Sequence, residues 1–95
     1  MNKNSQDDLT YLAAIITSDI ADGSPIMYAE RSTPVDEADS GWQFLGTTFS
    51  YRSEKALVWS LREVLDLEPT LTGYIHAPYG TKLARSTKSS QWQVV

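Results

Sequence analysis

The chain has 95 residues, 41% of them hydrophobic, no cysteine and a formal net charge of −4. That length supports one domain with one core, and the lack of cysteine excludes disulfides, thiolate metal sites and a cysteine nucleophile. The charge is uneven: residues 1–50 hold eight acids against Lys3 and Arg31, and residues 51–95 hold four acids against six bases. The first half therefore repels phosphates, which argues against nucleic acid and favours a basic protein surface or a cation.

Residues 1–9 are polar and read as a flexible tail, leaving 10–95 as the single domain. The start has no apolar segment of the signal-peptide kind, and no run approaches the roughly 18–20 apolar residues of a membrane span. A cytoplasmic protein without membrane contact is expected. Tyr11 to Ser18 is a short apolar run with β-branched residues at its centre, which predicts a strand buried on both faces. Asp19 to Pro25 carries turn chemistry, including Asp22-Gly23. Ile26 to Arg31 alternates, with Ile26, Tyr28 and Glu30 on one side and Met27, Ala29 and Arg31 on the other. The two strands are expected to form a hairpin.

Ser32 to Gly41 reads as an acidic loop bounded by Pro34 and Gly41, and Trp42 to Gly46 as a third strand. Thr47 to Arg52 either extends that strand or leaves the sheet. Ser53 then caps a predicted helix over Glu54 to Leu67, because Leu57, Leu61, Val64 and Leu65 fall on one stripe and Pro69 stops it. Leu71 to Ile75 reads as a short strand or an extended approach. His76 to Gly80 is a constrained turn, and Trp92 to Val95 a last strand pinned by Trp92 and Val94. The fold class is α+β: an antiparallel twisted sheet of four to five strands, with one main helix packed on one face.

Asp36, Glu37 and Asp39 crowd three carboxylates into four residues, yet the glycine-bearing twelve-residue Ca²⁺ loop is absent, so no metal or other cofactor is expected. Lys82 and Arg85 are the chain's own cations available to pair with them. Ser40, His76 and Asp39 supply the letters of a triad without its Gly-x-Ser-x-Gly frame, and no catalytic residue is assigned. Trp42 is either a core anchor at a strand start or an exposed aromatic beside the acids, where it would be a contact residue. His76 and Tyr79 mark a candidate groove for a small regulatory or ligand-binding module.

At Asp39-Ser40-Gly41-Trp42-Gln43-Phe44 the sequence resembles the bacterial immunity-protein domain numbered thirty-three, also filed as a domain of unknown function. Ile26 to Arg31 is similar to that family's second strand, Thr33-Pro34-Val35-Asp36 to its loop, and Ala77 to Arg85 to its Ala-Pro-x-Gly-Ser-x-Phe-x-Arg segment. The likeness runs from about residue 11 to 95. The segment after the tryptophan strand is shorter here, and Gln43 stands in place of the motif arginine. The resemblance implies a non-enzymatic protein that neutralises a cognate toxin by occlusion. Asp36, Glu37, Asp39 and Trp42 are the expected contact residues.

Overall fold

The computed structural model describes residues 9–47 and 55–95. Among the described residues six strands appear: β1 (Ala13–Thr17), β2 (Tyr28–Arg31), β3 (Asp39–Leu45), β4 (Ala56–Ser60), β5 (Lys82–Ala84) and β6 (Gln93–Val94). Two short α-helices, α1 (Ser18–Ala21) and α2 (Leu61–Leu67), and a 3₁₀ helix over Pro69–Tyr74 pack with them. The strands form one sheet in the order β4-β1-β3-β2-β5-β6. β1 and β3 run parallel, and every other pair is antiparallel. The class is α+β, but the sheet is mixed and six-stranded rather than antiparallel and four- to five-stranded.

The expected hairpin of β1 and β2 does not form, because β3 lies between them. Its predicted turn contains Ile20, which is buried. Burying that side chain coils Ser18 to Ala21 into one helical turn, and Thr17 Oγ1 donates to Asp19 Oδ1 at 2.5 Å. The chain leaves the sheet there, and β3 takes the vacated neighbour position.

The predicted helix over Glu54 to Leu67 divides in two. Its proposed cap Ser53 and first-turn Glu54 lie outside the described residues, as do most of the expected tail and the segment after Thr47. Within the described part, Ala56 to Ser60 is strand and only Leu61 to Leu67 is helix. Leu57, Val58 and Trp59 are the kind of side chains that suit a pleated surface. The helix begins where Ser60 provides a capping box: Glu63 N–H donates to Ser60 Oγ at 3.1 Å, and Ser60 N–H to Glu63 Oε1 at 2.9 Å. The apolar stripe misled because Leu57 reaches the core side from a strand as well as it would from a helix.

Leu71 to Ile75 is not extended. Pro69 starts a 3₁₀ helix over Pro69–Tyr74, its fixed φ suiting a first helical position. β1 is fully buried on one face, at Ala14 and Ile16, while on the other Ala13 and Ile15 are only partly buried. At the last strand Trp92 is buried but Val94 is 70% exposed, so the tryptophan alone anchors it in the core.

The inner sheet face carries Ala14, Ile16, Ala29, Trp42, Phe44 and Leu83, and the helices close over it with Ile20, Leu61, Val64, Leu65 and Leu71. Trp42 and Phe44, two apart on β3, stack at 5.6 Å between ring centres. The outer face differs. One row crosses five strands as Val58, Ile15, Gln43, Glu30 and Lys82. The buried side chains of all three helices belong to the inner cluster, so among the described residues the outer face is left uncovered by helix.

Candidate functional site

The acidic loop is set by the strands that flank it. β2 ends at Arg31 and β3 begins at Asp39. Ser32 N–H donates to the Gly41 carbonyl at 2.7 Å. Gly41 has φ +84°, and a Cβ there would lie 2.0 Å from the Ser32 carbonyl oxygen. Only glycine permits that approach. Inside the loop, Asp39 accepts from Val35 N–H at 3.0 Å and from Gly41 N–H at 2.9 Å. Asp36 Oδ1 accepts from Ala38 N–H at 2.9 Å. Two of the three acids therefore hold the backbone that displays them, while the exposed Glu37 projects from it.

Among the described residues none of these carboxylates forms an ion pair. Among the described residues the sole ion pair joins Arg85 to Glu68 at 2.8 Å. Arg85, one of the two cations expected to be available to the loop, is buried under Trp92, with its guanidinium 4.3 Å from the ring centre. Lys82 faces Glu30 across the sheet. Among the described residues no group of three or more His, Cys, Asp or Glu is arranged to hold a metal ion.

Trp42 does not stand beside the acids as an exposed aromatic. It is 1% exposed and donates from Nε1 to the Ile75 carbonyl at 3.0 Å. The pleat turns its side chain inward, so the core-anchor reading is the one the structure bears out. His76 and Tyr79 are both exposed on the turn after the 3₁₀ helix. Tyr79 lies over Arg31, whose guanidinium carbon is 4.7 Å from the ring centre. They line none of the grooves beside the acidic loop, at β5 and β6, or near Trp92.

A groove of about 360 Å³ does adjoin the acidic loop. Its floor is Ala13, Ile15 and Gln43 on the outer sheet face, Val58 forms one wall, and Val35 and Asp36 rise from the loop. Val35 is 88% and Val58 67% exposed. The sequence pattern puts Val58 within the predicted helix over Glu54 to Leu67, where it would share no sheet face with Ile15. Reading residues 56–60 as a strand would have set Val58 on the face opposite Leu57 and Trp59, but its pairing with Ile15 comes only from the fold.

Among the described residues no helix is long and apolar enough to cross a membrane. The model of the Immunity protein Imm33 domain matches residues 14–95. No curated protein and no solved structure matches the chain.

Proposed function

The chain belongs to the Immunity protein Imm33 domain family, and from that premise we propose that it is an immunity protein that binds a cognate bacterial toxin and covers its working surface, with no reaction of its own. The observation that supports this is the loop of Asp36, Glu37 and Asp39, backbone-locked and unpaired with the chain's own lysines and arginines among the described residues. Such a loop attracts a positively charged surface from a distance and speeds encounter. Its internal hydrogen bonds lower the entropy lost on docking. Occlusion needs only this, together with a packed contact that slows dissociation.

The contact residues are Asp36, Glu37 and Asp39. Trp42 serves from beneath, by fixing the strand that leaves the loop. Growth of a sensitive strain that coexpresses the chain with a candidate cognate toxin tests this reading. Wild-type chain should restore growth, and a chain carrying Asp36→Asn and Glu37→Gln, which spares the two backbone hydrogen bonds accepted by Asp39, should lose protection at little-changed melting temperature. Absence of protection by the wild type removes the immunity role, and full protection by the variant removes the acids from it.

A further inference from the structure

The acids occupy one side of a groove whose remaining lining is apolar apart from Gln43, and that combination selects a ligand. Ala13, Ile15 and Val58 offer hydrocarbon, while Asp36 and Asp39 bring carboxylates to the other side. We propose that this groove seats a long cationic side chain, arginine or lysine, presented by the partner protein. Its aliphatic stem lies along Ile15 and Val58, and its charged head meets Asp36 and Asp39. The proposal rests on the immunity reading for the partner's identity, but the groove's chemistry stands apart from it.

Charge complementarity decides the occupant. An apolar side chain would take the two carboxylates out of water with no compensating cation, at a large desolvation cost. A phosphate would be repelled. Arginine and lysine are the side chains that carry both an apolar stem and a cation. The carboxylates have capacity for it: Asp36 commits Oδ1 to Ala38 N–H, and each oxygen of Asp39 accepts one backbone N–H, while a carboxylate oxygen can accept two hydrogen bonds. Val58 is the residue on which the proposal turns. It is 67% exposed on the strand that ends the sheet, outside the inner core, and no other role for its side chain is visible.

The test is an NMR titration of the ¹⁵N-labelled chain with a capped pentapeptide of alternating leucine and arginine. The same peptide with citrulline in place of arginine serves as the uncharged control. Binding should shift the amides of Ala13, Ile15, Asp36 and Val58. The citrulline peptide should bind at least about tenfold more weakly, and Val58→Ser should weaken the arginine peptide about fivefold, with the spectrum of the free variant otherwise intact. Shifts confined to residues 35–39 and indifferent to Val58→Ser would overturn the groove while leaving electrostatic attraction by the loop in place. Equal binding of the citrulline peptide, or no binding of either peptide, would overturn the cationic side chain. The growth-rescue experiment above fails or succeeds independently of these outcomes.

Discussion

Arg31 and Trp42, paired across β2 and β3, donate to one and the same backbone oxygen, the carbonyl of Ile75. Arg31 Nη1 reaches it at 3.2 Å and Trp42 Nε1 at 3.0 Å. Arg31 also donates to the carbonyls of Ala77, at 2.9 Å, and Ser40, at 3.0 Å. Its own backbone closes the contact: Gly80 N–H donates to the Arg31 carbonyl at 2.6 Å. Three separated stretches, ending in Arg31, opening at Asp39 and running through Ala77 to Gly80, thus meet around one buried guanidinium. The residues that carry the family resemblance build a scaffold there, and the acidic loop is what that scaffold presents.

Replacing Arg31 by lysine tests the scaffold directly. Lysine keeps the charge but cannot reach three carbonyls in a planar fork or stack under Tyr79. We expect a loss of about 2–4 kcal/mol, since the Ser40 and Ala77 carbonyls lose the guanidinium donor and the Ile75 carbonyl keeps only Trp42. Urea unfolding measures it. A loss below about 0.5 kcal/mol would show that the three carbonyls are satisfied without the guanidinium.

Gly41→Ala should cost about 3 kcal/mol or more. The new Cβ meets the Ser32 carbonyl oxygen at 2.0 Å, on a residue already at φ +84°, so steric overlap adds to a left-handed backbone that side chains disfavour. The melting temperature reads this out. Gly23→Ala makes a useful contrast: φ there is also positive, at +108°, but no atom lies within 4 Å of the added Cβ, so its loss should be smaller.

Ser60→Ala removes the hydroxyl that accepts from Glu63 N–H, the side-chain half of the capping box that starts α2, and leaves the backbone N–H of residue 60 donating to Glu63. The expected loss is about 1 kcal/mol, a fall of roughly 4–8 °C in melting temperature for a domain of this size. Ser60→Asp should recover most of it, because aspartate caps as well as serine does. If alanine left the melting temperature unchanged, α2 would owe its start to packing of Leu61 alone.

Glu68 makes the chain's stability depend on acid pH. Burial works against its charged form, but hydrogen bonds from Thr70 and Arg85 and the neighbouring Arg85 charge outweigh that and hold the carboxyl below the usual glutamate range. The unfolded chain therefore takes up this proton at a higher pH than the folded one. The contribution is complete above the ordinary unfolded value of about 4.3 and is lost as pH falls through the lower folded value. Denaturant midpoints measured from about pH 6 down to about pH 3 should fall more steeply for wild type than for Glu68→Gln. Parallel curves would mean that the Arg85 pair does not couple to folding.

Two of the loop acids, Glu37 and Asp39, should separate in their effects on stability. Glu37→Lys should change it by less than about 0.5 kcal/mol, as an exposed substitution. Asp39→Ala should cost about 1–2 kcal/mol, because the N–H groups of Val35 and Gly41 lose their acceptor. Chemical denaturation distinguishes them. If Asp39→Ala were as mild as Glu37→Lys, the loop would not depend on its own carboxylate for its shape.

The sequence by itself determined the local alphabet of this protein: the α+β class, a strand at Trp42 with an acidic loop before it, alternation through Tyr28 to Arg31, and an apolar stripe at Leu61, Val64 and Leu65. Each is a short-range pattern, legible because side-chain direction repeats every 2 residues in a strand and every 3.6 in a helix. The start of α2 was legible too, in Ser60 and Glu63, but Leu57 extended the stripe backwards and masked it. Only the tertiary structure decided that β3 slips between β1 and β2, that Trp42 faces the core, that Arg31 gathers three motifs, and that Val58 and Ile15 line a groove beside Asp36. Those outcomes depend on which distant segments pair, and pairing is chosen by the summed burial and hydrogen bonding of the whole sheet, a quantity no local stretch of residues contains.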